Sequence, residues 1–179
     1  LIRGWHVPLS DELYAALPPR YQKLWEEAGP LGTCDVDVSL GRENRPDTEA
    51  AAKVEVAVDA RLFGGSLSLR NEQRLTHAEG TLHVKEDTVS INELRGWLGD
   101  TAVRLWGTIG VGEDSPPTSI GFEATDAIVD LGAPLQAYIP VMGEARADVY
   151  GSLRRAHGAT EGEERYVAHI KRGTLRGEE

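Results

Sequence analysis

Five histidines, one cysteine and two closely spaced aspartates are the residues of this 179-residue chain whose types suit metal or nucleophilic chemistry. The histidines are His6, His77, His83, His157 and His169. His83 and His169 fall on the polar side of alternating segments, and nothing near them has ligand spacing, so a surface role fits better than a metal site. Asp35 and Asp37 stand two apart and share one face of a strand. They offer two side chains where a calcium ion takes about six oxygens, so a solvated strand face is the better reading. Cys34 heads the apolar face of the same strand. No histidine or basic residue flanks it to lower its pKa, which makes it a packed thiol and not a nucleophile. As the single cysteine it excludes an internal disulfide and a cysteine-based zinc site.

Gly107-Thr108-Ile109-Gly110-Val111-Gly112 superficially matches a dinucleotide loop. It follows a strand, but Glu113-Asp114-Ser115-Pro116-Pro117 stands where a helix is required. Among 29 acidic residues some pair always lies at a glycosidase-like separation, so proximity alone identifies no acid and base. The sequence assigns no catalytic residue, no metal and no cofactor, and the expectation is a protein that is not an enzyme. Trp97 and Trp106 remain as candidate contact residues. Trp106 lies on the polar face opposite Val103 and Leu105, and Trp97 is expected in a Gly-flanked turn, packed beneath it or at an opening.

The elements that would position these residues are mostly strands. Ile2, Trp5 and Val7 suggest a lead-in strand. A helical pair spans 10–28. Ser10 is its N-cap, Asp11 and Glu12 suit the positive end of the dipole, and Leu13, Ala16 and Leu17 form the first apolar stripe. Pro18-Pro19 ends that helix and opens the next, where Tyr21, Leu24 and Trp25 recur at helical spacing before Gly29-Pro30. Cys34 to Leu40 alternates cleanly as a strand, and Gly41 to Asp47 reads as a polar loop. Lys53 to Ala60 continues with Val54, Val56 and Val58 inward. Phe63-Gly64-Gly65 is a turn or bulge, after which Ser66 to Leu69 resumes the pattern.

Leu75 to Gly110 holds three period-two runs: Thr81 to Val84, Val89 to Asn92 and Val103 to Trp106. Turns are expected at Lys85-Glu86-Asp87 and at Gly96 to Asp100. This is an antiparallel meander with one dry and one wet face. Further strands are expected from Ile120, from Ala145 to Leu153 and from Arg165 to Lys171, with a short helix at Pro134 to Tyr138. Gly32 to Val38 and Gly143 to Val149 echo each other in apolar spacing and in the second Asp. The fold class expected is therefore mainly β with short helices (α+β), an antiparallel meander sheet, curved or groove-like, built from a repeated unit. The expected division is 1–130 for a first repeat and 131–179 for the start of a second, truncated one.

Net charge is −10 and pI ≈ 5.0. An acidic chain is a poor partner for nucleic acid or for anionic lipid head groups, which need clustered Lys and Arg. No apolar run reaches the roughly 20 residues of a membrane span. The chain opens Leu-Ile-Arg and is expected to be a piece of a longer protein.

Val89 to Ile109, with its Leu94-Arg95-Gly96 and Gly99-Asp100, resembles the repeat of AsmA-like proteins. Ala78 to Val84, Gly65-Ser66-Leu67 and Ala124 to Asp130 also fit the resemblance, which covers most of Lys53 to Leu131. It implies an envelope protein of bacteria with two membranes. The resemblance further implies a periplasmic location, a membrane anchor outside this stretch, and repeated sheets forming an apolar groove for lipid transport and outer-membrane homeostasis. The lipid-facing candidates are Val36, Val38, Val54, Val56, Val58, Leu82, Val84, Val89, Ile91, Val103, Leu105 and Ile109, with Cys34 and Leu40 on the same faces. Partners would be phospholipid acyl chains and neighbouring repeats, with no nucleic acid. The competing reading is a scaffold module in which these faces and Leu13, Leu17, Leu24 and Trp25 fill a core. Alternation alone fits both.

Overall fold

A computed structural model describes residues 1–42, 54–69, 73–112, 115–130, 141–156 and 162–177. Among the described residues, nine strands form one antiparallel sheet in simple sequence order. They are β1 (Ile2–Pro8), β2 (Leu31–Arg42), β3 (Val54–Ser68), β4 (Arg74–Lys85), β5 (Thr88–Leu98), β6 (Thr101–Gly110), β7 (Thr118–Asp130), β8 (Val141–Arg155) and β9 (Glu163–Gly177). Each strand pairs with the next, so the sheet is an open meander with β1 and β9 as its edges. Two helices, α1 (Asp11–Ala16) and α2 (Pro19–Ala28), interrupt it between β1 and β2.

The register explains why one face is dry. Directly opposed residues in an antiparallel pair point to the same side. Val38 lies opposite Val58, Val58 opposite Val84, Val84 opposite Val89, and Val89 opposite Ile109. A second row runs Val36, Ala60, Leu82, Ile91, Gly107, Ile120 and Leu153. The alternation of each strand thus merges into one apolar surface. The wet face carries matching polar rows, such as Arg3, Asp37, Asp59, His83, Ser90, Thr108 and Ser119.

Long strands stay in phase through bulges. Register shifts fall between Leu62 and Gly65, between Ile91 and Leu94, and between Ala124 and Ala127. A one-residue slip would turn every later side chain over, and each bulge absorbs the slip locally. Buried Cys34, Leu62, Leu75, Ala78, Leu94 and Val103 form the core beneath β2 to β6.

The helical pair begins after Ser10 and turns at Pro18, with Pro19 in the first position of α2. Gly29 ends α2 in the left-handed region at φ 45°. Ser10 makes no side-chain cap. Its hydroxyl goes instead to Glu12, a bond that lowers the Glu12 carboxyl below its ordinary value. Ala16 is exposed, so the stripe of α1 narrows to Leu13 and Leu17.

Two expectations need correction, and a third lies outside the described residues. Gly96, Trp97 and Leu98 belong to β5, and the turn shrinks to Gly99-Asp100. Gly96 is extended there because its missing side chain leaves room for Leu75, whose Cγ would lie 2.8 Å from an added Cβ. Gly41 and Arg42 lie within β2, opposite Glu55 and Val54, so the polar loop starts later and falls outside the described residues. The helix at Pro134 to Tyr138 also lies outside them. The sheet itself continues from β7 to β8 across position 130.

Two glycines separate backbone strain from steric exclusion. Gly99 has φ 57°, and a Cβ added there would meet open space. Gly107 has φ 133°, and an added Cβ would lie 2.1 Å from the Ser119 carbonyl oxygen. Gly99→Ala should cost roughly 1–2 kcal/mol, the left-handed penalty alone. Gly107→Ala should lose about 1–3 kcal/mol more, because β6 and β7 must separate. Urea midpoints check this ordering; equal losses would refute the close-approach argument.

Candidate functional site

The dry face is covered only in part. α1 and α2 form a helical hairpin lying over β2 to β5, and a cavity of about 520 Å³ remains between hairpin and sheet. That volume lies within the roughly 300–1,000 Å³ typical of ligand pockets. Its roof is Leu13, Leu17, Tyr21, Leu24, Trp25 and Ala28, and its floor includes Val36, Val58, Ala60, Leu82 and Val84.

Local contacts hold the roof in place. Tyr14 Oη donates to Glu26 Oε1 at 2.5 Å, and Gln22 Nε2 donates to the Tyr14 carbonyl at 3.2 Å, tying the two helices together. The Glu26 carboxylate that accepts this bond raises the Tyr14 phenol above its ordinary pKa. At the far end of α2, Arg74 Nη2 donates to the Gly29 carbonyl at 3.0 Å. At the hairpin tip, Arg20 Nη1 lies 2.6 Å from Asp87 Oδ1, and Tyr21 Oη donates to the Glu86 carbonyl. Both contacts land on the turn between β4 and β5. Desolvation raises the Tyr21 phenol, and Asp87 adds to the effect while Arg20 opposes it.

The cavity is polarised from end to end. Cys34 and Leu62, 2% and 4% exposed, lie toward the end where the chain enters and leaves the hairpin. There Leu9 N donates to the Gly32 carbonyl at 2.9 Å and closes the backbone. Val56 lines the opposite end and is 45% exposed, beside Leu40 at 59%. Arg20, Glu55, Glu86 and Asp87, the charged lining residues, gather at that end.

Of the twelve lipid-facing candidates, Val36, Val56, Val58, Leu82, Val84 and Val89 line this cavity. Val103 is buried in the core, with Ile91 and Leu105 packed against it. Val38 and Ile109 lie on the dry face but outside the cavity lining. The Val54 backbone pairs with Arg42, and its side chain lies outside the described residues. Sequence reasoning misses Ala60, Leu62 and Leu67 as lining residues; the alternation that selects Val58 also reaches Ala60 and Leu62, whereas Leu67 reaches the dry face only through the bulge at Gly65. Leu13, Leu17, Leu24 and Trp25, the helix residues of the scaffold reading, line the same cavity.

The wet face holds a charge network and the two tryptophans. Glu93 Oε1 lies 2.9 Å from Arg95 Nη2 and 2.6 Å from Arg104 Nε. The Arg104 guanidinium stacks over Trp106, 5.6 Å from the ring centroid. Trp106 covers Gly121 of β7, where an added Cβ would meet the indole at 2.5 Å. Trp97 is on the same face, 47% exposed. His83 Nδ1 lies 2.8 Å from Asp59 Oδ1. His6 N donates to Asp35 Oδ1 at 2.8 Å, and Asp37 pairs with Arg3 at 3.0 Å. Each aspartate thus has its own partner on β1. Among the described residues no group of three or more His, Cys, Asp or Glu gathers as a metal site.

No protein-family model, curated protein or solved structure matches this chain.

Two solution measurements test this geometry. Burial, with a smaller contribution from Asp35, raises the Cys34 thiol above its ordinary pKa. Iodoacetamide should therefore modify native Cys34 far more slowly than the urea-unfolded chain at the same pH, as followed by intact mass; comparable rates would contradict the burial. The hydrogen bond from Arg95, with the Arg104 and Arg95 charges, holds the Glu93 carboxyl below its ordinary value. A depressed carboxylate contributes stability above its unfolded pKa and loses it as pH falls through the lower folded value. The stability difference between the parent chain and Glu93→Gln should accordingly shrink with acidification through the carboxylate range. A constant difference across that range would exclude a role for Glu93 ionisation.

Proposed function

We propose that this chain is a non-enzymatic segment of a cell-envelope protein whose apolar sheet face takes up phospholipid acyl chains during lipid transport. The observation that carries the reading is the cavity left between the helical hairpin and the apolar rows of β2 to β5. A scaffold module with a filled core has no use for such a space, since voids forfeit the contacts that stabilise a core. Each methylene buried there gains about 0.8 kcal/mol without a specific polar partner. Binding of chains therefore needs only the alternation that the strands already supply.

The apolar surface also extends past the hairpin. On the dry face of β9, Tyr166 and Ile170 are 74% and 57% exposed, opposite Gly151 and Ala147 of β8. A surface of this kind, on an open edge strand, suits the continuation of the sheet by a neighbouring repeat. The proposed setting is the periplasm or envelope, as the AsmA-like resemblance of Val89 to Ile109 implies. The proposed architecture is a repeated unit, one copy over 1–130 and a second beginning at 131.

Native mass spectrometry of the protein purified from cells with two membranes tests the reading. Phospholipid adducts should appear on the parent chain and fall at least several-fold in Ala60→Phe, which fills the cavity. Ala60→Phe should keep the parent's urea unfolding slope, showing that the fold survives. A bare mass for the parent chain, with no uptake of added fluorescent phospholipid, would overturn the reading.

A further inference from the structure

The cavity is shut at one end and open at the other. At the end of α2, Arg74 Nη2 holds the Gly29 carbonyl, and a Cβ added to Gly29 would lie 3.2 Å from Ser68 Oγ of β3. Where the chain then joins β2, a Cβ added to Gly32 would lie 2.8 Å from the Gly65 Cα. Helix end and strand start are thus pressed onto β3. Leu9, Pro30, Cys34, Leu62 and Leu67 line the cavity here, and Cys34 and Leu62 are 2% and 4% exposed. At the other end the hairpin tip is fastened to the turn between β4 and β5, through Arg20 and Tyr21. That leaves the β2–β3 side uncovered, where the opposed Leu40 and Val56 are 59% and 45% exposed.

The dimensions decide what fits. Leu62 and Val56 mark the two ends of the floor on β3, and six residue steps of ~3.3 Å put them about 20 Å apart. A volume of about 520 Å³ over that length leaves a mean cross-section of roughly 26 Å². Carbon atoms in contact sit about 4 Å apart, so one alkyl chain fills a column of roughly 16–20 Å² and two need twice that. A head group at the shut end would exchange its hydration for apolar side chains, so the tail must enter first. We propose that the cavity is a blind slot for a single unbranched alkyl chain, and that Leu67, Leu62 and Cys34 at the shut end set the longest chain it accepts. This inference rests on the lipid-binding reading above and specifies its ligand. A diacyl lipid would seat one chain in the slot and leave the other outside it. An extended chain of ~1.5 Å bonds advances about 1.25 Å per carbon, so the slot is full at roughly 16 carbons.

Equilibrium dialysis of the full chain against a series of lysophosphatidylcholines reads the slot length. Their saturated tails run from about 8 to about 20 carbons, each used below its micelle concentration. Affinity should rise roughly fourfold per added methylene while the tail still advances, then level off near roughly 16 carbons. Leu67→Phe, which brings the shut end inward, should move that break to tails about two or more carbons shorter. Leu67→Ala should move it to longer tails. Val56→Ala, at the open end, should leave it in place. Cys34→Met narrows the shut end from β2 and replaces Leu67→Phe if that variant loses the parent's urea unfolding slope.

An affinity that keeps rising by the same factor through the longest tail overturns the slot and leaves the lipid reading standing on an open face. So does a break that the shut-end variants leave in place, or that Val56→Ala moves as far as they do. If no lysophosphatidylcholine binds while native mass spectrometry still finds phospholipid on the purified chain, the cavity is not the site and the inference alone falls. If neither method detects lipid, both fall together.

Discussion

A sheet with one unbroken apolar face must keep that face from water, and this requirement governs the rest of the molecule. Nine strands in meander order place Val, Leu and Ile side by side from β2 to β8. The described chain offers two helices, of 6 and 10 residues, to cover them. A helix of ten residues is about 15 Å long and roughly 10 Å wide, so the pair spans about four strands at ~4.8 Å spacing. Cover over β2 to β5 and exposure at β9 follow from that arithmetic. The short helices are stabilised by docking, since isolated helices of this length are marginal in water.

The phase of the alternation is the second requirement, and it explains the distribution of glycines and bulges. A strand of 15 residues such as β3 accumulates twist, and the pairing with β4 fails to stay regular over that length. The shift at Gly65 restores register without moving Leu67 off the dry face, where it meets Leu75. Gly32 and Gly65 approach so closely that an added Cβ on Gly32 would lie 2.8 Å from the Gly65 Cα. That approach draws β2 and β3 together where the hairpin chain leaves the sheet. The same bulges that preserve the dry face therefore shape the sealed end of the cavity.

The strands and the hairpin are legible in the sequence because each carries its own local period. Val36, Val58, Leu82 and Val89 declare an inward face at period two, and Leu13, Leu17, Leu24 and Trp25 declare one at helical spacing. The two prolines and Gly29 mark the ends of the helices by chemistry that needs no tertiary context. What alternation cannot convey is how far apart two facing apolar surfaces stand. Leu24 and Trp25 have the same pattern whether they touch Ala60 or face it across a void. Gly96-Trp97-Leu98 misleads a local reading for a related reason. A glycine next to a tryptophan looks like a turn, but the space made by Gly96 belongs to Leu75 on the neighbouring strand, a pairing with no local signature. The repeat suggested by Gly32 to Val38 and Gly143 to Val149 is a likeness of pattern, and both segments become strands, as any such alternation would.

The wet face shows how little of its charge is committed to holding the sheet. Arg104 links β5, β6 and β7 by half-exposed cross-strand pairs to Glu93 and Glu123, and Arg95 pairs with Glu93 within β5. Such pairs are worth about 0–1 kcal/mol each and weaken with salt. Asp148 is held below its ordinary pKa chiefly by its hydrogen bond from Lys171 of β9, with a further bond from the Asp126 backbone at the β7 bulge. These contacts order the edge strands and fix their register, while burial on the dry side supplies most of the stability. The division has a consequence for the cavity. Stability rests on the β2 to β6 core, centred on Leu75 and Leu94, and little of it depends on filling the space beneath the hairpin. The hairpin is anchored mainly at its two ends, by Arg74 to Gly29 and by Arg20 and Tyr21 to the Glu86-Asp87 turn. A roof fixed at its ends over a floor stabilised elsewhere can hold a space open.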